Sequence, residues 1–325
     1  MNNTVSILDA NTIELHYWFK DGSHTMDANA FNQCEHELLG IIGEIADKLK
    51  VQIGIEVEPL GEGGLKAWLK IIGEQKQAIK VAFILFLFTE VISTPLTTTL
   101  DYITTKALDS FFEDPEIKAL EKEKKKAELE YDIAKTKYET QKLCDSIDEN
   151  RIKKKRSNYF EIASNNKKID KITISVMDKD KTPKYTPKEI MSTEFSKFVL
   201  TSDDIDPDED ESAIIEIVSP VLKKGKYLWL GIYKGSVIQF KMKSAEFKTL
   251  VQTGQIPFKN GSSIQCHLLA NKRINSEGEV KITNYEVLSV DKYFVNDTPI
   301  ETPEGKRNRQ IREAEAKQYK LDFEE

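Results

Sequence analysis

The amino-acid sequence predicts an α+β protein built in parts. A small N-terminal α/β unit comes first, an apolar helix and a long charged helix follow, and a β-rich, barrel-like domain ends the chain. Three observations predict this. Strand-like alternation and helix-like spacing take turns over residues 1–75. Val81 to Leu100 carries one ionisable residue, Glu90, in a chain of which 31% is charged. Beyond residue 170, short alternating runs recur with turn residues between them.

At 325 residues the chain is long enough for two or three domains, each with a core. A net charge of -7 argues against wholesale coating of nucleic acid, while leaving room for local basic patches. Cys34, Cys144 and Cys266 are scattered and never form a CxxC pair. That excludes a disulfide framework and a zinc knuckle, and suits a reducing compartment. The N-terminal stretch lacks a basic segment followed by an apolar one, so the chain is expected to begin in the cytoplasm.

In residues 1–75, Ile13, Leu15, Tyr17 and Phe19 alternate with Glu14, His16 and Trp18, the period of a strand with one buried face. Asp21-Gly22 turns the chain, and Asp27 is placed to cap a helix from Ala28 to about Leu49. Val51, Ile53, Ile55 and Val57 form a second strand. Leu65, Trp68, Leu69, Ile71 and Ile72 are spaced as a further helix, which completes a β-α-β-α unit. His16, Asp21, His24, Asp27 and His36 lie close together but match no ligand spacing. The glycines at 61, 63 and 64 lack both phosphate-cradling patterns. With no catalytic motif elsewhere, the chain is expected to be non-enzymatic, with no cofactor and no metal.

Residues 76–112 hold the apolar segment, and its length favours a helix. Twenty residues at about 1.5 Å each match the roughly 30 Å hydrocarbon core of a bilayer. Two readings stand. In one, several copies associate so that Phe and Leu face lipid while Glu90 and the hydroxyls, Thr94 among them, line a water-filled pore kinked at Pro95. In the other, this is the core helix of a soluble oligomer.

Residues 113–170 begin with Asp114-Pro115, a helix start, and contain no Gly or Pro from Glu116 to Arg156. Ile117, Leu120, Lys124, Ala127, Tyr131, Ala134, Tyr138 and Gln141 follow the seam spacing of a weak coiled coil, which suggests a mechanical stalk. Arg151 to Arg156 holds five basic residues in six, with Tyr159 and Phe160 just beyond. A solvated helix end, a lipid-headgroup contact and a phosphate contact all fit it.

In residues 171–300, Asp203 to Glu211 holds seven acids in nine and reads as a solvated linker rather than a calcium loop. Tyr227–Tyr233 and Val237–Met242 flank Lys234-Gly235 as a hairpin. Ser244–Val251 reads as a short helix, and two more strands follow. OB-like and SH3-like barrels are the candidate folds. Alternation places Tyr227, Trp229 and Tyr233 on one face with lysines nearby, a stacking platform for a single strand or an ordinary core. Residues 301–325 form a charged tail.

The order of parts and the stretch VAFILFLFTEV ahead of the charged helix resemble the effectors of bacterial anti-phage defence operons. Among these the chain most resembles the membrane effector of Hailong-type systems. That resemblance implies a homo-oligomeric, tetrameric channel in the bacterial inner membrane with cytoplasmic domains. It further implies that single-stranded DNA oligomers, made by a partner nucleotidyltransferase, hold the channel closed. On this expectation Glu90 and Thr94 line the pore. Lys154, Lys155, Arg156, Tyr159, Tyr227, Trp229 and Tyr233 would contact the nucleotide or DNA ligand. The alternative is a soluble, cytoplasmic, oligomeric nucleic-acid-binding or scaffold protein with no channel activity.

Overall fold

The structure, a computed structural model, describes residues 10–23, 25–58, 65–74, 77–122, 126–178, 180–223, 225–259, 261–295 and 298–321. It is α+β and divides into two compact units. Met1–Ser202 with Ser276–Glu279 form the first, and Asp203–Asn275 with Val280–Glu325 the second.

The first unit is a five-stranded antiparallel sheet with helices on one face. Its strands are β1 (Thr12–Phe19), β2 (Ile53–Glu58), β3 (Leu65–Gly73), β4 (Ile169–Met177) and β5 (Lys188–Met191), in the order β2-β3-β1-β4-β5. Two expectations change here. Residues 65–73 are a strand rather than a helix, because β3 pairs with both β1 and β2. The boundary near residue 170 does not separate units, because β4 lies beside β1, with Leu15 opposite Ile174.

Helix α1 (Ala28–Lys48) is capped by Asp27, whose carboxylate accepts from the backbone of Asn29 and Ala30. Helix α2 (Ala78–Ser93) carries the apolar stretch. Val81, Phe83, Leu85, Leu87, Phe88, Val91 and Ile92 are all buried, so this helix is core on nearly every side. It ends at Ser93; Thr94 is extended, and α3 (Leu100–Phe112) starts afresh from the Thr99 cap. The Thr and Ser hydroxyls in α2 bond back to its own carbonyls, Thr89 to Leu85 and Ser93 to Thr89. Among the described residues, no helix is long and apolar enough to cross a membrane.

The expected long charged helix comes instead as α4 (Pro115–Lys122), α5 (Lys126–Cys144) and α6 (Glu149–Asn165). Asp148 stops its continuity before α6 by capping the new helix at Arg151 N. The side chains of seam positions 120, 124, 127 and 131 lie outside the described residues, as do His24 and the glycines at 61, 63 and 64.

The second unit is a closed five-stranded barrel. Its strands are β6 (Asp204–Ser219), β7 (Trp229–Tyr233), β8 (Ser236–Met242), β9 (Ser263–Ile274) and β10 (Val280–Val295). They run β6-β7-β8-β10-β9 and close through the pairing of β9 with β6. β8 and β10 are parallel, and α7 (Ala245–Gln252) joins β8 to β9. The OB-like or SH3-like barrel that the sequence suggests takes the form of a closed five-stranded barrel. The β7–β8 turn at Lys234-Gly235 has φ of 48° and 79°, the left-handed pair that a two-residue hairpin needs.

The acidic run is no linker. It forms the first half of β6, and part of its charge is met by cations from other strands and turns. Asp208 pairs with Lys272, Asp204 with Arg273 and Asp210 with Lys234, and Glu209 lies 3.3 Å from His267 Nε2. β11 (Thr298–Glu301) and α8 (Pro303–Leu321) pack on β10.

Candidate ligand-binding site

Several residues singled out for ligand contact are structural. Trp229 is 1% exposed, packed in the barrel core beside Phe240, Phe247 and Phe258. Tyr233 is half-buried and donates its hydroxyl to Asp210 at 2.6 Å. Tyr227 precedes β7 and is 64% exposed. The three rings therefore do not share one face: the strand begins two residues later than the alternation suggests, and its inward set includes Trp229.

The basic run on α6 is likewise internal. Lys154, Lys155, Arg156 and Tyr159 are all buried. Arg156 donates to the carbonyls of Val91 at 2.6 Å and Thr94 at 2.9 Å, closing the C-terminal end of α2. Burial pushes its guanidinium down to about 10, against the pull of Glu149. Lys155 reaches Glu37 at 3.7 Å. Tyr159 and Tyr17 join hydroxyls at 3.2 Å inside the core, and burial drives both phenols well above their ordinary range. Lys155, Arg156 and Tyr159 are thus held by partners within the first unit.

Glu90 and Thr94 come together on a polar cleft of about 380 Å³ with Thr98, Tyr102, Lys106 and Lys188. Glu90 pairs with Lys188 at 2.9 Å. It is the one charged group of α2's apolar stretch, and it lies at the edge of the helix layer.

A second cleft lies at one end of the barrel. There the β6–β7 connection, residues 220–228, faces the α7–β9 connection, residues 253–262. Between them is a cleft of about 760 Å³. Val218, Pro220, Leu222, Ile256 and Phe258 make its apolar lining, with Gln252 and Lys259 among the polar groups at its rim. The walls are tied in place. Gln252 donates to the Lys223 carbonyl at 3.3 Å, and Ile217 N donates to the Ser262 carbonyl at 2.8 Å. Leu222, Tyr227 and Leu228 stand exposed on the β6–β7 connection.

Lys234, Lys241, Lys243, Lys272 and Arg273 each face an acid. Lys223 and Lys226 beside the cleft, and Lys259 on it, are exposed and form no ion pair among the described residues. Lys224 lies outside the described residues. The slot itself carries Lys259 and Glu216, while Lys223, Lys226 and the exposed Tyr227 ring stand on the β6–β7 connection that bounds it, an arrangement with room for a ligand that has a flat apolar part and a charged part. The lysines were visible in the sequence. Which of them are neutralised was not, since their acidic partners come from other strands, and Phe258 and Lys259 sit in a connecting segment with no periodic signal. No protein-family model, curated protein or solved structure matches the chain, so the reading of this cleft rests on its own geometry.

Proposed function

We propose that this protein is a non-enzymatic receptor for short single-stranded nucleic acid or a nucleotide, held at the barrel cleft. One observation carries the proposal: among the described residues Lys223, Lys226 and Lys259 form no ion pair, and they stand on the two connections that bound an apolar slot lined by Leu222 and Phe258, with the exposed Tyr227 ring on one of those connections. A base stacks on Tyr227 or enters the slot while its phosphates meet the lysines. The closed five-stranded barrel supports this by analogy with OB-folds, in which the connection between the first two strands is a common ligand-binding element. The resemblance to anti-phage effectors supplies a use for such a receptor, as the sensor of an oligomeric assembly that answers an oligonucleotide signal.

A channel is the further step of that resemblance, and it has a structural requirement. Helix α2 has 16 residues, about 24 Å of length, and its apolar side chains are buried in the first unit. A pore through residues 81–100 therefore requires this helix to leave the core and lengthen past Pro95. The binding role requires no such rearrangement, and it is the one we put forward.

Fluorescence anisotropy with a labelled single-stranded ten-mer is the direct test. Binding is expected to weaken as salt rises. Tyr227→Ala should cost about 1–3 kcal/mol, the usual loss for one stacked base. Lys223→Ala with Lys226→Ala should lower the salt slope. Equal affinity for the variants and the unaltered chain would overturn the assignment.

A further inference from the structure

We infer that the polar cleft beside α2 is a binding site for a small polyhydroxylated anion, a sugar phosphate or a sugar acid. This goes beyond the barrel reading and stands on a different set of residues, all in the first unit. Phe86 of α2 with Ile103 and Ala107 of α3 give the cleft an apolar floor. Glu90 and Lys106 come from the same two helices, and Lys188 joins them from β5. Thr94 and Thr98 on the α2–α3 connection, with Tyr102 and Ser110 on α3, bring four hydroxyls to the lining. None of the four hydroxyls makes a hydrogen bond among the described residues.

The charges on the lining do not cancel. Glu90 pairs with Lys188 at 2.9 Å, whereas Lys106 forms no ion pair among the described residues and stands 6.0 Å from the Tyr102 ring centroid. One carboxylate thus meets two ammonium groups, and neither Asp101 nor Asp109 of α3 lines the cleft. The surplus of positive charge favours an anion over a cation. A bare anion would use Lys106 and leave the hydroxyls and Glu90 to water. Hydroxyls donate and accept, and a carboxylate accepts, so a ligand bearing several hydroxyl groups answers all of them. The apolar floor and the exposed Tyr102 ring take the carbon face of a sugar, in a volume of about 380 Å³ that is ordinary for a small-ligand site.

The wall that carries the threonines is fixed before any ligand arrives. Arg156 holds the Thr94 carbonyl at 2.9 Å, and Leu96 N donates to the Lys197 carbonyl at 3.1 Å. Thr98 N donates to the Pro95 carbonyl at 3.1 Å, and the Thr99 hydroxyl accepts from Tyr102 N at 3.4 Å. On the floor, Phe86 packs edge-on against Tyr185 with centroids 4.9 Å apart. Walls tied in this way lower the ordering cost of binding. The Glu90–Lys188 pair is partly exposed and adds little to stability, so its carboxylate can be removed without loosening the helix layer.

The test is isothermal titration calorimetry of the full chain with ribose 5-phosphate, glucose 6-phosphate and gluconate, against glucose and inorganic phosphate. Saturable one-to-one binding of at least one of the first three is expected, at least tenfold tighter than either control. Preference for the sugar phosphates identifies a phosphoryl group as the anion, and preference for gluconate a carboxylate. Lys106→Glu should weaken binding at least tenfold and Glu90→Gln at least threefold, while Tyr227→Ala in the barrel leaves it unchanged. Lys106 is exposed and Glu90 half-buried, and thermal melting checks that both variants are folded. No saturable binding of any of the three, or binding indifferent to both cleft variants, overturns the inference. Glucose binding as tightly as its phosphate removes the anion, and inorganic phosphate binding as tightly removes the sugar; either result overturns the assignment. Loss of binding in Tyr227→Ala alone would move the ligand to the barrel and overturn it as well. Oligonucleotide binding that persists through these failures leaves the barrel reading standing without this one.

Discussion

At the scale of single residues, Arg156 decides how an apolar helix ends inside a protein. The last carbonyls of α2 have no helical partners, and burying them unpaired would cost about 1–3 kcal/mol each. Arg156 satisfies two of them and adds a cation at the negative end of the helix dipole. Arg156→Leu is therefore expected to lower unfolding free energy by about 2–4 kcal/mol, read from urea denaturation. Lysine at the same position should recover part of the loss, because its single ammonium lacks the guanidinium fork. Asp210 gives a second residue-level test. The Tyr233 hydroxyl holds its carboxyl below the usual range, with the Ser212 backbone and Lys234 adding to the effect. A carboxyl depressed in the folded state stabilises above its unfolded value, near pH 4, and the benefit fades as pH falls through the folded value. Tyr233→Phe should raise the Asp210 titration midpoint in an NMR titration and flatten the acid limb of the stability curve. An unchanged midpoint would show that the hydrogen bond is not what holds it down.

At the scale of elements, pattern and pairing compete, and pairing wins where local signals are ambiguous. The Lys234-Gly235 hairpin and the Ser244 cap of α7 were legible because the residues that make them are neighbours in sequence. Residues 65–72 fit both periods: Leu65, Ala67, Leu69 and Ile71 alternate as well as Leu65, Trp68, Leu69 and Ile72 step helically. The choice belongs to β1 and β2, which offer β3 two edges at once. The acidic start of β6 looked like solvated chain because its neutralising partners, Lys272 and Arg273, lie more than sixty residues away. The basic run at 151–156 misled for a related reason. Lys153 pairs locally with Glu149, but Arg151 goes to Glu44, Lys155 to Glu37 and Arg156 to the end of α2, partners that no local window contains. Within the barrel, β6 and β7 meet so closely that a Cβ at Gly231 would lie 2.6 Å from Ile215 Cγ2 and 2.8 Å from the Glu216 carbonyl. Gly231→Ala is expected to cost about 1–3 kcal/mol, as overpacking of a rigid core does, and to appear as a lower melting temperature.

At the scale of the whole molecule, the two units have separate hydrophobic cores, and this makes the barrel testable alone. Its core draws entirely on residues between Ala213 and Val290, with Trp229, Phe240 and Phe247 at the centre. Every strand that closes it lies in residues 203–325. A chain of residues 203–325 is therefore expected to fold by itself and unfold in one cooperative transition. Trp229 is the sole tryptophan in that stretch, since the other two are Trp18 and Trp68, so emission reports the barrel core without interference. It should be blue-shifted in the folded fragment and move to the red at the same urea concentration at which the β signal is lost. The cleft residues, Lys259 included, and Tyr227 on the connection beside them all belong to the fragment. The fragment should accordingly keep the oligonucleotide affinity that Tyr227→Ala weakens in the full chain. Red emission in water would show that this barrel does not stand on its own core. Blue emission with no binding would place the ligand's main contacts outside the barrel, in the first unit.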